Sequence, residues 1–365
     1  MRQDIKPIKF PKDEQAHNCI IEWWYFNGHL KDKQGNNYAF MNCLFKADVK
    51  KVKIPFLTKV PIKILHFSHS VFSDIKNEEF YPSIDYISII SEDSFSKPLL
   101  FINYTNPMVI TGYTNCVIEE TEKFVYHLKD KNVDLKLTSV KKPLLVGGSG
   151  YVNLQTKKTY YYSLTNLKTE GRVKVKGKWI DVVGKSWMDH QWANTSYSKD
   201  KWTWFSIQLN NEIEIICFEY ENKGAKTFLA SVSYPDGRQE HFNKVQFIPL
   251  GMNWTSPKTK ATYPLTWRIK TPSRNIDLEV APLIKEQEML FGSINYWEGP
   301  LKVTGSFNGK KAKGVGFMEL LGYPSKYNNA KYVKDKLEKF MNQVFSYAKK
   351  GTFNIISNIK TKIIK

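Results

Sequence analysis

Short apolar and aromatic runs, separated by turn-forming residues, recur along most of the 365-residue chain. Aromatic and β-branched side chains dominate these runs, which is typical of strands. The clearest runs span 38–45, 64–72, 160–167, 202–209 and 213–220. Turn residues between such runs, as at 235–237 and 308–309, predict hairpins. Because neither helical periodicity nor strand–helix alternation precedes residue 326, the pattern predicts an all-β fold of antiparallel sheets, closed into barrels or packed as a sandwich.

The last forty residues follow a different pattern. Apolar positions recur at helical spacing from Val333 to Ala348, and Gly351 ends this periodicity. Nine lysines and only two acidic residues lie between positions 331 and 365. A basic amphipathic helix of this kind either contacts an anionic membrane surface or packs across a barrel with its lysines in solvent, and both alternatives stay open.

Composition and charge narrow the class of partner. Aromatic residues make up 14% of the chain, and they favour both strands and apolar ligand cavities. The net charge is +19, from 54 basic and 35 acidic residues, yet only five of the basic residues are Arg. Base-edge readout and bidentate phosphate recognition favour Arg, so specific nucleic-acid binding is not expected.

Cysteine spacing and the first residues of the chain exclude further classes of protein and of site. The four cysteines form no C-x-x-C pair, which excludes a disulfide-dense scaffold and the usual zinc spacings. His66 and His69 would face opposite sides of a strand, so we predict no metal site there or elsewhere. The first residues lack the apolar core of a signal peptide, and no stretch approaches 18 uncharged apolar residues. The predicted location is the cytoplasm.

Two clusters in the first 200 residues combine acids with aromatic residues. In the segment 22–29, Glu22 leads a run of four aromatic residues, whose tryptophans either line a ligand site or plug the floor of a barrel. In the segment 184–192, Asp189 and His190 lie between two tryptophans, which makes this cluster the best candidate for proton transfer. The alternative for this second cluster is an Asp that caps a turn beside a His bonded to the backbone.

A third cluster joins the segments 296–300 and 316–323. Glu298 and Glu319 are each the single acid of an aromatic, otherwise apolar strand. If these acids are buried, their pKa values are raised and each could serve as a protonated donor. Otherwise each acid pairs with a Lys or with a backbone amide at a barrel rim.

Eight motifs occur in order along the chain: E-W-W-Y-F-N-G-H at 22–29, H-S-V-F-S-D at 69–74, K-P-L-L-V-G-G-S-G at 142–150, Y-Y-Y-S at 160–163, S-W-M-D-H-Q-W at 186–192, W-T-S-P at 254–257, Y-W-E-G at 296–299 and M-E-L-L-G-Y at 318–323. Over about residues 17–325 this series resembles the AttH/carotenoid 1,2-hydratase (hydroxyneurosporene synthase) family of lipocalin-like proteins. The E-W-W-Y and W-M-D-H-x-W segments carry most of the specificity.

The resemblance implies a domain arrangement and a class of function. It implies two consecutive calycin β-barrels, at 1–182 and 183–325, the second carrying the W-M-D-H-x-W segment. The basic helical tail at 326–365 is an addition to the pattern of the family. The resemblance also implies a hydrophobic small molecule as partner (an isoprenoid, a carotenoid or another lipid) and a hydratase that needs no cofactor. The alternatives are a non-catalytic lipid-binding protein and a cyclase or pericyclase that acts on a polyene.

The same resemblance suggests particular catalytic residues. The His and the second Trp of the D-H-x-W segment are implicated in activity in the family's hydratase, and here they are His190 and Trp192. A Tyr-x-Asp pair of that enzyme falls on Cys217 and Glu219, so a carboxylate is retained without the Tyr. The expected catalytic residues are therefore Asp189, His190, Trp192 and Glu219.

The expected mechanism is addition of water to an alkene. Asp189, Glu219 or another buried carboxyl would protonate the double bond. The π faces of Trp187 and Trp192 would stabilise the cation, and His190 would take a proton from the attacking water. The expected ligand-binding residues are Glu22, Trp23, Trp24, Tyr25, His69, Trp187, Tyr296, Trp297, Glu298 and Glu319.

Overall fold

The computed structural model describes residues 6–52, 63–108, 112–197, 200–291 and 294–324, together with residue 338. Two short 3-10 helices, Lys12–Glu14 and Pro272–Arg274, are the helical elements between residues 6 and 324 in these ranges. No helix in the described part of the chain is long and apolar enough to cross a membrane. Apart from residue 338, the predicted helical tail lies outside the described residues, so its membrane contact stays a prediction.

The first sheet uses the strands up to residue 193. Within the described ranges its thirteen strands are β1 (Ile21–Asp32), β2 (Asn37–Asp48), β3 (Ile64–Asp74), β4 (Glu79–Asp85), β5 (Ile89–Ile90), β6 (Phe101–Met108), β7 (Gly112–Glu122), β8 (Val125–Lys129), β9 (Val133–Ser139), β10 (Leu144–Leu145), β11 (Tyr151–Leu154), β12 (Lys157–Val175) and β13 (Lys178–Ala193). They are ordered β4-β3-β2-β1-β13-β12-β9-β8-β7-β6-β5, with β10 and β11 also paired to β12.

The second sheet and a small ribbon use the remaining strands. As far as the structure describes them, these are β14 (Lys201–Leu209), β15 (Glu214–Asn222), β16 (Ala225–Ser233), β17 (Gln239–Phe242), β18 (Gln246–Pro249), β19 (Asn253–Thr255), β20 (Thr262–Pro264), β21 (Trp267–Thr271), β22 (Ile276–Pro282), β23 (Glu288–Phe291), β24 (Ile294–Phe307) and β25 (Lys310–Leu321). The sheet order is β17-β16-β15-β14-β25-β24-β22-β21-β18, with β23 paired to β24, and β19 pairs with β20 alone.

Both large sheets close on themselves in the same way. The two end strands of the first sheet, β4 and β5, are separated along the chain only by residues 86–88, and the Ser88 amide donates to the His66 carbonyl of β3 at 2.8 Å. The end strands of the second sheet, β17 and β18, are separated only by residues 243–245. The predicted all-β fold of two consecutive antiparallel barrels is therefore confirmed.

The structure corrects the predicted boundary between the barrels. Strand β13 runs without interruption through the predicted 182/183 boundary and pairs with both β1 and β12. The W-M-D-H-x-W segment therefore belongs to the first barrel, and the chain passes to the second barrel between Ala193 and Lys201. The physical reason is that Gly184 marks no turn but lies within the strand, where it allows close approach to β1.

The two barrels share one arrangement of strands, although no repeat of identical residues along the sequence reveals it. The last strand of each barrel pairs with its first strand, β13 with β1 and β25 with β14. A Cβ atom on Gly184 would lie 2.0 Å from the His29 carbonyl oxygen, and one on Gly314 would lie 2.3 Å from that of Gln208. Counted from these equivalent glycines, Asp189 and Glu319 occupy equivalent positions.

Side chains fill both barrels and also the space between them. The first barrel contains a buried cluster around Trp24, Phe26 and Tyr162, and the second contains one around Phe205 and Trp297. A third buried cluster lies between the barrels and draws residues from both, among them Trp187, Trp204, Phe218 and Tyr296. Packed barrel interiors leave the inter-barrel region as the place for a ligand.

We expect Gly184→Ala to lower the free energy of unfolding by about 3 kcal/mol, because the new methyl group would overlap the His29 carbonyl and separate β1 from β13. Urea denaturation measures the change. The control is Gly177→Ala at the β12–β13 turn, where the methyl group meets nothing within 4 Å and only the positive φ of +84° costs stability, about 1 kcal/mol. Equal effects of the two substitutions would contradict the close approach.

Candidate active site

Strand alternation divides the predicted site residues between two compartments. Successive side chains of a strand point to opposite faces. On β1, Trp23 and Tyr25 face the space between the barrels, whereas Glu22 lies inside the first barrel. On β13, Asp189 faces between the barrels, and its neighbour His190 points into the barrel to contact Glu22. The predicted Asp-His-x-Trp site is thus split.

A cavity of about 200 Å³ lies between the barrels; we call it the inter-barrel cavity. A single buried water needs about 10–15 Å³, so this space is large enough for an organic molecule. Much of its wall is aromatic and includes Trp23, Phe45, Phe67, Trp202, Trp204 and Phe291. Its polar lining residues are Tyr25, His69, Thr159, Tyr161, Asp189, Gln191, Tyr197, Tyr220, Tyr296, Glu298 and Glu319. Among the lining residues that the structure describes, none is Lys or Arg.

Asp189 is held by three donors on the first-barrel side of the cavity. Its Oδ1 accepts hydrogen bonds from Ser163 at 2.5 Å and from the Trp187 indole at 2.7 Å, and its Oδ2 accepts one from Tyr161 at 2.6 Å. The Trp204 indole donates to the Tyr161 hydroxyl at 3.0 Å, which fixes that ring. Burial raises the pKa of Asp189 to about 6, although the three hydrogen bonds act to lower it.

Glu298 and Glu319 form an acid pair on the second-barrel side. They lie directly opposite each other on β24 and β25, and both line the cavity. Glu298 Oε1 accepts a hydrogen bond from the Tyr25 hydroxyl at 2.8 Å, which joins the pair to the first barrel. Burial raises the pKa of Glu298 well above its ordinary value, and the charge of Glu319 raises it further. Burial also raises the pKa of Glu319, to about 7, against a hydrogen bond from Trp202.

His69 and Tyr296 form a second polar pair in the cavity wall. The two side chains meet through His69 Nδ1 and the Tyr296 hydroxyl at 2.6 Å. The imidazole is surrounded by the rings of Phe45, Phe67 and Phe291, and burial lowers the pKa of His69 to about 3. The imidazole is therefore neutral at physiological pH. His66, three residues earlier, does not line this cavity, as the alternation predicts.

His190 and Trp192 face the interior of the first barrel rather than the cavity, which corrects the expectation that they form one site with Asp189. His190 Nε2 donates to Glu22 Oε1 at 3.1 Å, and the His17 ring stacks on Trp192 with centroids 3.9 Å apart. Glu22 also accepts hydrogen bonds from His17 Nδ1 at 2.6 Å and from Lys46 at 3.0 Å. This buried network holds the segment before β1 against the barrel end.

The Glu22 network has the donor set of a possible metal site, because His17, Glu22 and His190 offer ligand atoms within 4.8 Å of one another. The Lys46 ammonium already lies 3.0 Å from Glu22 Oε2 and balances its charge, and the carboxylate also accepts hydrogen bonds from both imidazoles. Burial raises the pKa of Glu22, but the hydrogen bonds from His17 and His190 and the charges of His190 and Lys46 outweigh it, so the pKa lies well below its ordinary value. The arrangement suits a structural ion-pair network rather than a metal site.

The remaining predicted residues also lie outside the cavity lining. Glu219 on β15 pairs with the half-exposed Lys226 at 2.7 Å, so the structure does not bring it together with Asp189. Trp24 and Trp297 are core residues of the first and second barrel. Trp187 acts on the cavity indirectly, because its indole donates to Asp189.

Sequence reasoning missed three cavity residues that complete the site. Trp202 and Trp204 lie on β14 and face the cavity, and Tyr161 on β12 binds Asp189. The signals were present in the W-T-W alternation of a predicted strand and in the Y-Y-Y-S motif. What was missing was the strand pairing that turns these faces toward the space between the two barrels.

Comparisons with known proteins agree with this architecture. A family model described as AttH-like matches residues 2–323. The dehydratase asqC of Emericella nidulans is 25% identical over 233 residues, which span 60% of this chain and 62% of that protein. A solved structure described as AttH, from Nitrosomonas europaea, is 24% identical with a TM-score of 0.67, and covers 87% of this chain and 98% of its own. Kievitone hydratase from Nectria haematococca is 17% identical with a TM-score of 0.64, covering 88% and 94%.

We expect His190→Leu to lower the free energy of unfolding by about 3 kcal/mol or more, because it removes one partner of a buried carboxylate. A double-mutant cycle with Glu22→Gln, measured by urea denaturation, should give less than the sum of the single effects. Unchanged stability combined with lost turnover would instead restore a catalytic role for His190.

The same network predicts a pH dependence. Because the pKa of Glu22 is lowered in the folded chain, its contribution is present above the ordinary Glu value of about 4.3 and is lost as the pH falls below it. The stability difference between the wild type and Glu22→Gln should therefore shrink in acid.

Proposed function

Because the chain belongs to the AttH-like family, we propose that it is a hydro-lyase, which adds water to a double bond, or removes it, in a ligand bound in the inter-barrel cavity. The single observation that carries the proposal is the acid pair of Glu298 and Glu319, which lines an aromatic cavity without a cation in its described lining. A relative named as a dehydratase and a similar fold named as a hydratase support this reaction class.

The acid pair supplies both roles that such a reaction needs. Two carboxyl groups on directly opposed positions of neighbouring strands resist double ionisation, so they retain a shared proton near neutral pH. In that state one member is a proton donor and the other a carboxylate acceptor, as general acid–base catalysis requires. Asp189, with its pKa raised to about 6 by burial, is a third carboxyl in the same cavity.

Hydration and dehydration then follow from one arrangement. For hydration, the protonated carboxyl gives its proton to one alkene carbon, and the carboxylate takes a proton from water as the water oxygen bonds to the other carbon. The ligand gains one water, and the acid pair regains its single proton. Trp202 and Trp204 stabilise the positive charge that develops on carbon through their π faces. Dehydration is the reverse, and neither direction calls for a cofactor.

The cavity also indicates the class of ligand. Its walls are aromatic and aliphatic, and its lining acids would repel carboxylate or phosphate groups. We therefore propose a neutral, largely apolar molecule, such as a compact ring system or the reacting end of an isoprenoid. This replaces the sequence-based mechanism, in which His190 was the base and Trp192 a cation-stabilising residue.

Glu319→Gln and Glu298→Gln should each lower kcat/KM by about 10²-fold or more, since each removes one half of the acid pair. In the wild type, activity should rise as the pH passes about 7, where Glu319 loses its proton and becomes the carboxylate acceptor, while Glu298, with its pKa raised well above the ordinary value, stays protonated as the donor. The matched control is Glu219→Gln, an identical change outside the cavity, which should leave the rate unchanged. A greater loss in Glu219→Gln than in the acid-pair variants would contradict the proposal.

An isotope experiment separates this function from the alternatives. Solvent extraction and native mass spectrometry of the purified protein would first identify a co-purifying ligand. Turnover in oxygen-18 water should then place the label in an alcohol product or exchange it into an alcohol substrate. An intact, unlabelled ligand would indicate a carrier, and a rearranged ligand without label would indicate a cyclase.

A further inference from the structure

We propose that the Nε2–H group of His69 donates a hydrogen bond to an oxygen atom of the ligand, so that the ligand is an oxygenated molecule rather than a hydrocarbon. This inference rests on the proposed function only in taking the inter-barrel cavity as the ligand site. It assigns to His69 a positioning role, distinct from the proton transfer by the acid pair.

The environment of His69 leaves one polar atom for a ligand. The side chain is only 3% exposed and lines the cavity from β3. Its Nδ1 meets the Tyr296 hydroxyl at 2.6 Å, whereas its Nε2 is buried with no hydrogen-bond partner among the residues the structure describes. Buried polar atoms in proteins almost always have a partner, and the neighbouring rings of Phe45, Phe67 and Phe291 offer none.

Counting donors and acceptors settles which nitrogen carries the proton. The Tyr296 hydroxyl has one proton, and within the described part of the chain its hydrogen-bond partner is His69 Nδ1. If Tyr296 donates to Nδ1, the neutral imidazole carries its proton on Nε2. The hydrogen-bonding groups of the pair are then all partnered except the Nε2–H group. If Nδ1 donated instead, both Nε2 and the Tyr296 O–H group would lack a hydrogen-bond partner. The first arrangement leaves fewer unpaired groups, so Nε2 is a donor and its ligand partner is an acceptor.

The acceptor lies away from the reacting carbons. Tyr296 and Glu298 are two residues apart on β24 and both line the cavity, and two residues of a strand span about 6.6–6.8 Å. The ligand oxygen that His69 holds is therefore displaced from the acid pair by about this distance, towards Phe291 and Tyr296. Since the described lining holds three acids and neither Lys nor Arg to balance a negative charge, this oxygen is uncharged, as in a carbonyl, hydroxyl or ether group.

The test uses two probes of the same shape, 1-tetralone and tetralin, which differ by one carbonyl oxygen. Isothermal titration calorimetry should show that the wild-type protein prefers the ketone by about fivefold or more, the effect of one net hydrogen bond. In His69→Phe the preference should fall below about twofold, while tetralin binding is retained. His66→Phe is the matched control, because His66 is also a largely buried imidazole on β3 with an unpartnered Nε2, but it does not line the cavity.

A second measurement needs no variant. Nitrogen-15 NMR of the histidine-labelled wild type should show His69 as the Nε2–H tautomer, and 1-tetralone should shift that nitrogen signal while tetralin should not. An Nδ1–H tautomer, equal affinity of the wild type for both probes, or an unchanged preference in His69→Phe would each overturn the inference. Because neither measurement involves turnover, their failure would leave the acid pair intact, and loss of activity in Glu319→Gln would not affect the probe preference.

Discussion

The pairing of β1 with β13 is the constraint on which the chemistry of this protein depends. The register runs from Ile21 opposite Ala193 to Asp32 opposite Val182. It decides which side chains enter the first barrel and which face the second. A slip of one residue would exchange the two sets, moving Asp189 into the barrel and His190 into the cavity. The interlocked contacts of Gly28 and Gly184, each too close to the opposite strand for a Cβ atom, oppose such a slip.

The two faces set opposite electrostatic environments for the same kind of side chain. Inside the first barrel, Glu22 meets Lys46 and two imidazoles, so its buried charge is compensated and its pKa is lowered. Between the barrels, Glu298 meets another acid and a hydroxyl, so burial and repulsion raise its pKa. Both carboxyl groups are buried, so their charged and hydrogen-bonding partners decide that Glu22 is ionised and that Glu298 is protonated. This contrast supports the proposal that the chemistry takes place between the barrels.

Sequence reasoning could predict the barrels and the acids but not their grouping. Aromatic, turn-bounded strands predict the all-β fold, and single acids in apolar strands correctly single out Glu298 and Glu319 for raised pKa values. Proximity in the W-M-D-H-x-W segment predicts one site, yet adjacent strand residues face opposite ways. The separation of Asp189 from His190 follows from register and from which barrel the strand joins, and neither is encoded by the motif itself. The same limit explains why Trp202 and Trp204 were missed.

The repeated barrel arrangement gives the site its asymmetry. Asp189 and Glu319 hold equivalent positions on the last strand of each barrel, but the residue opposite each differs: Ser163 in the first barrel and Glu298 in the second. A hydroxyl opposite an acid donates to it and favours ionisation, whereas a carboxyl opposite an acid disfavours it. The same position in the two barrels therefore holds two acids of different strength, and these acids come together only where the barrels meet. Neither barrel contains this combination alone, so the proposed proton transfer in the cavity requires both barrels and the Tyr25–Glu298 hydrogen bond that joins them.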